Sequence, residues 1–161
     1  MARQPWQADH ELVAKRSFEL STTVPGEPSA VVDFLMDLDK HTGVHPFLVS
    51  AKITGSGTSH NGPWWDWYVV ERPNIGPFHY QLRMRTRITR ISPTALESRV
   101  RPLPGCRLRG TTRAVKSEDG RTLLTENVAA IAPFLLVSYL ARQARAAHAG
   151  TYERLPAALA H

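Results

Sequence analysis

The stretch PFLLVSYLARQARAAHAGTYERLPAALA, residues 133–160, has the periodicity of one long helix near the end of the chain. On a wheel of about 100° per residue, one side gathers Phe134, Val137, Ala141, Ala144, His148, Thr151, Tyr152, Leu155 and Leu159. Most of these side chains are small or polar, whereas a tightly packed core helix carries Leu and Ile. The pattern predicts a helix with space beneath it, or with a polar contact to a ligand. Pro156 should kink or end the regular helix, because it removes one backbone hydrogen bond.

The chain before this helix has mostly the patterns of strands separated by short turns. Residues 15–24 alternate apolar and polar positions, as a half-buried strand does. A short helix opens at Pro28, and residues 39–44 could add one more turn. Six strand-like runs follow, at residues 47–54, 63–72, 78–91, 94–101, 106–117 and 121–132. Short connections such as the loop 55–62, which ends in Asn61-Gly62, predict an antiparallel meander.

This order predicts an α+β fold, in which a curved seven-stranded antiparallel sheet wraps around the C-terminal helix. One or two short helices follow the first strand. Residues 1–14 are weakly patterned and are expected to form a loosely ordered leader, and residues 15–161 a single ligand-binding domain. The 42% hydrophobic and 21% charged residues are typical of a globular protein.

Three features of the sequence bear on its location in the cell. No apolar run reaches the roughly 20 residues of a membrane-spanning helix, and residues 1–16 lack the apolar region of a secretory signal. The single cysteine, Cys106, excludes an internal disulfide and favours a reducing compartment. We therefore expect a cytoplasmic protein.

Several local motifs occur in a recognisable order. They are Val24-Pro25 at a strand end, the helix leading to Asp37 or Asp39, His45-Pro46, Gly62 before a tryptophan-rich strand, residues 120–126, and Ala147-His148 with Tyr152 and Leu155. Over about residues 15–160, this order resembles the START-like superfamily, also called SRPBCC or helix-grip, in its polyketide cyclase/dehydrase-like branch. The resemblance implies a deep cavity between sheet and helix for a hydrophobic or amphipathic small molecule, such as a lipid or a polyketide-like compound. The superfamily contains carriers, receptors and enzymes, so fold alone does not choose among them.

The side chains expected to line such a cavity come from the helices and the central strands. Tyr80 and Met84 belong to the inner face of their strand, because arginines occupy the alternate positions. Trp65 and Trp67 share one face of the preceding strand and Trp64 and Tyr68 the other, and the sequence leaves open which pair points inward. The predicted ligand-binding residues are Tyr80, Met84, Trp65, Trp67, His148, Tyr152, Phe34 and Ala144.

Three of the cavity side chains could transfer protons, namely His148, His45 and Tyr80. His148 lies in the middle of the inner helix face, where an imidazole can donate to a ligand carbonyl or accept a proton. The alternative is a core histidine satisfied by its neighbours. An enzyme of the polyketide cyclase/dehydrase type is therefore the first alternative to a binding protein. Among the strand carboxylates, Glu126 is the one whose burial would be informative.

Neither a metal nor a cofactor is expected. His41 and His45 are spaced as two helical metal ligands, but Gly43 and Pro46 argue against a regular helix, and no third ligand has a matching spacing. The glycine-rich loop at residues 55–57 lacks the lysine of a phosphate-binding loop and does not lead into a helix.

Arginines repeat at alternate positions of three consecutive strands: Arg83, Arg85 and Arg87, then Arg99 and Arg101, then Arg107, Arg109 and Arg113. With a net charge of +6, this pattern predicts a basic outer sheet face. We expect that face to be solvated, since no stacking aromatic residue is assigned to it and the signal for nucleic acid is not strong. Contact with nucleic acid or anionic lipid is the second alternative. The expected partner is a small hydrophobic or aromatic ligand, and a homodimer is left open.

Overall fold

The computed structural model describes residues 12–75 and 77–161. Residues 1–11, most of the predicted leader, lie outside the described residues, while Val13 and Ala14 already belong to the first strand. The division into a leader and one domain stays a prediction. The elements are β1 (Val13–Val24), α1 (Pro28–Met36), a 3₁₀ helix (Leu38–His41), β2 (Leu48–Ser59), β3 (Gly62–Glu71), β4 (Asn74–Ile75), β5 (Phe78–His79), β6 (Leu82–Ser92), β7 (Ala95–Arg101), β8 (Arg107–Lys116), β9 (Thr122–Pro133) and α2 (Phe134–Ala158).

Within the described residues, seven strands form one antiparallel sheet in the order β1-β9-β8-β7-β6-β3-β2. The first strand pairs with the last along its whole length, from Val13 opposite Pro133 to Val24 opposite Thr122. The long helix α2 packs against β1 and β9, and α1 against β7 and β8. The predicted helix-grip fold, with its short helix after the first strand, is confirmed.

Alternation along the strands separates a buried inner face from a charged outer face. On β6, Met84, Thr86 and Ile88 are buried and the arginines between them are exposed. On β3, Trp67 is 3% exposed and Trp65 packs half-buried against the same core cluster, so this pair points inward. That assignment puts Trp64 and Tyr68 on the outer face.

Two strand predictions are wrong in detail. The predicted loop at residues 55–62 is largely strand, because Gly55 pairs with Asp66 and Gly57 with Trp64 after a bulge near Ile53. The predicted strand 78–91 is broken into β5 and β6, and Phe78 is 73% exposed. β5 pairs with β4 in a separate two-stranded hairpin, which pulls Phe78 out of the register of β6.

The long helix differs from its prediction at both ends. Phe134 is 66% exposed, and the buried stripe is Val137, Leu140, Ala144, Ala147, Thr151, Tyr152 and Leu155. Pro156 does not end the helix, because the backbone N–H of Leu159 still donates to the carbonyl of Leu155 at 3.0 Å and closes the last turn. In the described part of the chain, no helix is long and apolar enough to cross a membrane.

The β2–β3 turn offers a test of the sheet geometry. Gly62 has φ of 127°, and a Cβ added there would lie 2.1 Å from the carbonyl oxygen of Arg90. We expect Gly62→Ala to lower the free energy of unfolding by about 2 kcal/mol or more, from backbone strain and displacement of β6. Gly55→Ala in the same hairpin is the control, because no atom lies within 4 Å of its added Cβ. Urea denaturation of both variants measures the difference, and equal losses would contradict this account of the turn.

Candidate functional site

A cavity of about 200 Å³ lies between the inner face of the sheet and the helices. Beneath α2 its wall is formed by the small side chains Ala144 and Ala147, in agreement with the thin inner face predicted for this helix. The resemblance implied a deep cavity, but this volume is below the roughly 300–1,000 Å³ usual for ligand pockets. Aliphatic side chains line another large part of the wall, with Leu35, Leu48, Val69, Leu82, Ile88, Leu96, Val100, Leu108 and Leu140.

The structure brings five of the eight predicted ligand-binding residues to this cavity: Tyr80, Met84, Ala144, His148 and Tyr152. Phe34, Trp65 and Trp67 do not line it. Phe34 stacks on His41 with ring centroids 5.4 Å apart, and the two tryptophans pack in the adjoining core. The inner face of β3 reaches the cavity further along, through Val69 and Glu71, so both tryptophans point inward without lining the wall.

All three candidates for proton transfer, His148, His45 and Tyr80, line the same cavity. Two carboxylates that were not predicted as site residues join them. They are Glu71, at the end of β3, and Glu126, in the middle of β9. Each carboxylate pairs with one of the two histidines, so the wall holds two imidazole–carboxylate pairs.

The first pair joins α2 to β9. Nδ1 of His148 lies 2.9 Å from Oε2 of Glu126, whose residue is only 7% exposed between the buried Leu124 and Val128. Burial by itself lowers the pKa of His148. The charge of Glu126, its hydrogen bond and the charge of Glu71 outweigh burial and raise this pKa above its usual value. Among the described residues Nε2 of His148 has no hydrogen-bond partner, so it is available to a ligand.

The second pair joins the loop after the 3₁₀ helix to β3. The backbone N–H of Phe47 donates to Nδ1 of His45 at 3.2 Å, so this nitrogen carries no proton. In neutral His45 the proton is therefore on Nε2, which lies 3.2 Å from Oε1 of Glu71. Burial, and then the charge of His148, lower the pKa of His45 to about 3. Burial raises the pKa of Glu71 to about 7, against the opposing charge of His148.

A glycine of α2 allows this second pair to lie close to the helix. A Cβ added at Gly150 would be 2.9 Å from Cγ of Pro46, the residue after His45. Any larger residue would push the loop away from α2. The close approach keeps His45 and His148 on the same part of the cavity wall. They are near enough that the charge of His148 helps to lower the pKa of His45.

Two tyrosines add hydroxyl groups to the cavity. Burial, followed by a hydrogen bond that the Tyr80 hydroxyl donates to Tyr139, raises the pKa of Tyr80 to about 12. Burial likewise raises the pKa of Tyr152, so both phenols are protonated at neutral pH. The Tyr152 hydroxyl is buried and makes no well-formed hydrogen bond within the described chain, although Thr112 lies beside it. It is thus an unsatisfied donor at the cavity wall.

These groups can hold an oxygen-bearing ligand and can transfer protons. The Tyr152 hydroxyl and Nε2–H of protonated His148 can donate to a carbonyl or phenolate oxygen, and Glu71 can accept a proton near neutral pH. His41 is engaged elsewhere, since its Nε2 lies 3.1 Å from the carbonyl of Phe34. In the described ranges, no group of three or more His, Cys, Asp or Glu side chains is placed to hold a metal ion.

The two carboxylates that were missed carried a signal in the sequence. Glu71 is on the same face of its strand as Trp65, Trp67 and Val69, because these residues are two positions apart. Assigning the face of Trp65 and Trp67 to the inside would therefore have placed Glu71 in the cavity. Glu126 occupies one of the alternating buried positions of β9. It is the carboxylate whose burial was expected to be informative, and the structure buries it.

Comparison with known proteins supports the fold. No protein-family model and no curated protein matches the chain. Among solved structures, the Zhui aromatase/cyclase from Streptomyces sp. R1128 is similar over 89% of this chain and 93% of that chain, with a TM-score of 0.71 and 14% identity. Ara h 8.0201 gives a TM-score of 0.68 at 14% identity, over 92% of this chain and 100% of that chain.

A START superfamily protein from Mycobacterium smegmatis is similar over 89% of this chain and 97% of that chain, with a TM-score of 0.69 and 10% identity. The chain therefore shares the helix-grip fold of these structures. At identities this low the likeness establishes the fold and leaves the function to be argued from the site.

The protonation of Glu71 predicts how stability depends on pH. In the folded protein Glu71 keeps its proton up to about pH 7, whereas the ordinary value of its pKa is 4.5. The folded state is therefore favoured at low pH, and this contribution is lost as the pH rises through 7. Glu71→Gln stays neutral at every pH and keeps the size of the side chain. We expect the free energy of unfolding of this variant to match that of the native protein at about pH 5. At about pH 8.5 it should exceed the native value by about 1–3 kcal/mol.

Urea denaturation at the two pH values measures this difference. Glu153→Gln removes a carboxylate from the exposed side of α2 and is the control. We expect that variant to follow the native protein at both pH values. If Glu71→Gln gave the same stability change at low and high pH, the proposed titration of Glu71 would be wrong.

Proposed function

We propose that the protein binds a small apolar or amphipathic molecule in the cavity beneath α2, with the polar end of the ligand at His148 and Tyr152. The observation that carries this proposal is a buried Tyr152 hydroxyl without a well-formed hydrogen bond, in a cavity that is also lined by aliphatic side chains and by His148. Leaving a buried hydroxyl unpaired costs roughly 1–3 kcal/mol. An acceptor atom on a ligand would offset that cost.

The volume of the cavity supports a compact ligand. At about 200 Å³, a small aromatic or short-chain molecule with one or two oxygens fits better than a long-chain lipid. A lipid or polyketide-like ligand was the expectation from the sequence, and the aromatic, polyketide-like type is the one the cavity favours. A cytoplasmic location and a homodimer stay predictions.

Filling the cavity should abolish ligand binding. Ala144 lines the cavity, so Ala144→Phe would occupy the space beneath α2 with a benzyl group. We expect this variant to weaken binding of an environment-sensitive naphthalene dye at least about tenfold, because the dye loses its buried contact area. Fluorescence titration of the purified protein gives both affinities.

The matched control is Ala146→Phe, which makes the same substitution two residues along at an exposed position of α2. It should bind the dye as the native protein does. Equal binding by Ala144→Phe and the native protein would contradict the proposal, provided that circular dichroism shows both variants folded. Native mass spectrometry of the purified protein would then identify a ligand retained from the cell.

The second candidate function is an acid–base enzyme, and the two imidazole–carboxylate pairs favour it. Ionised Glu71 could remove a proton from the carbon next to a ligand carbonyl, forming a Glu71 carboxylic acid. The electron pair of the broken C–H bond would move to the carbonyl oxygen, which His148 would stabilise by donating a hydrogen bond. The proton would return to the same carbon or to another atom of the ligand, so no oxidant or co-reactant is needed.

Proton exchange into a simple ketone would test this candidate. With α-tetralone in heavy water, we expect the native protein to speed deuterium incorporation next to the carbonyl, with a rate that rises through about pH 7 as Glu71 ionises. Glu71→Gln should lose about 10²–10⁴-fold of that acceleration, while Glu153→Gln keeps it. Nuclear magnetic resonance follows the exchange. Tight binding of the ketone without exchange would reject catalysis and leave the binding function standing.

A further inference from the structure

The outer face of the sheet, opposite the cavity, carries six arginines in two neighbouring rows. In one row Arg87 is opposite Arg99, and Arg99 is opposite Arg109. In the next row Arg85 is opposite Arg101. Arg107 belongs to the same row, because it is the neighbour of Leu108, which pairs with Val100, the neighbour of Arg101. All six side chains are exposed. We call this set, Arg85, Arg87, Arg99, Arg101, Arg107 and Arg109, the arginine array.

The arginine array concentrates positive charge at short and regular spacings. Neighbouring strands are about 4.8 Å apart, and alternate residues along a strand about 6.7 Å apart. Like charges directly opposite each other destabilise a sheet. Among the residues that the structure describes, only Arg87 has a carboxylate partner, through two hydrogen bonds to Asp66 of 2.7 and 2.8 Å. The other five arginines make no ion pair to the described part of the chain, so the array favours an anionic partner.

The arginine array surrounds a groove that also contains an exposed aromatic ring. A groove of about 640 Å³ is lined by all six arginines and by Tyr68. Tyr68 is 39% exposed, and its register places it between Arg85 on β6 and Lys52 on β2. Trp64 is on the same face, but the guanidinium of Arg87 covers its ring at 3.9 Å. Tyr68 is therefore the ring on this face that a ligand can reach most directly.

We propose that this groove binds single-stranded nucleic acid, a function separate from ligand binding in the cavity. Two rows of guanidinium groups match the repeated phosphates of a flexible chain, and the Tyr68 ring offers a surface on which a base can stack. An anionic membrane fits less well. It would need protruding aliphatic side chains beside the charges, whereas the outward side chains here are arginine, tyrosine, threonine and aspartate around a groove.

Fluorescence anisotropy with a labelled oligouridylate of about 12 nucleotides tests the proposal, because one small sheet surface covers about 4–16 nucleotides. The array variant Arg99→Gln/Arg101→Gln/Arg109→Gln should weaken binding at least tenfold at low salt. It should also reduce the slope of log affinity against log salt by about 0.7 for each lost phosphate contact. Tyr68→Ala should weaken binding several-fold with the slope unchanged, and Tyr68→Phe should bind as the native protein does.

The charge-matched control is Arg142→Gln/Arg145→Gln/Arg154→Gln, which removes three exposed arginines from α2. It should retain most of the affinity, and dye binding in the cavity should be unchanged in the array variant. Equal losses in the two triple variants would overturn the proposal, since binding would then follow net charge alone. Array-dependent binding to phosphatidylserine vesicles without binding to the oligouridylate would overturn it in favour of a membrane. Should the array variant misfold, Arg99→Gln and Arg101→Gln tested singly give the same two readouts.

Discussion

The ion pair between His148 and Glu126 is the contact on which the arrangement of the cavity depends. A carboxylate in the middle of an apolar strand face needs a hydrogen-bond partner, and α2 supplies the one imidazole opposite it in the described chain. Removing one partner of such a buried pair costs about 3–5 kcal/mol. The neighbouring residues Ala144 and Ala147 are too small to fill the space beside the pair. The helix is instead anchored towards its ends by buried Val137 and Leu155, and the space between these anchors stays open.

Strand alternation then gives the same sheet two faces with opposite chemistry. On β3, Glu71 points into the cavity, whereas Asp66 points outward and pairs with Arg87. The carboxylate in the aliphatic wall has a raised pKa, because burial disfavours its charge. The pKa of the outer carboxylate is lowered by its hydrogen bond to Arg87. The pKa values of these two carboxylates of β3 are therefore shifted in opposite directions, because one side chain points into the cavity and the other points outward.

Much of this could be predicted from the sequence because it depends on local signals. Turn residues and alternation predict the strand order, and the helical period predicts that His148 faces the sheet. The errors concern contacts between distant residues. Gly55 has weak strand preference, yet it lies in β2 because β3 pairs with it. Glu71 was missed because the inner face of β3 depends on how the whole sheet curves around α2, and three neighbouring tryptophans fit either face.

The environments of the two cavity histidines divide their roles. Burial, and then the charge of His148, lower the pKa of His45, so it stays neutral, accepts a hydrogen bond from the backbone N–H of Phe47 and lies beside Glu71. His148 is paired with Glu126, which favours its imidazolium form, and its other nitrogen is directed to no described residue. Environments that separate the pKa values of like groups distinguish an acid from a base. His148 is thus the proton donor of the cavity and Glu71 its acceptor near neutral pH, so a ligand oxygen is best placed at His148 and an acidic ligand proton at Glu71.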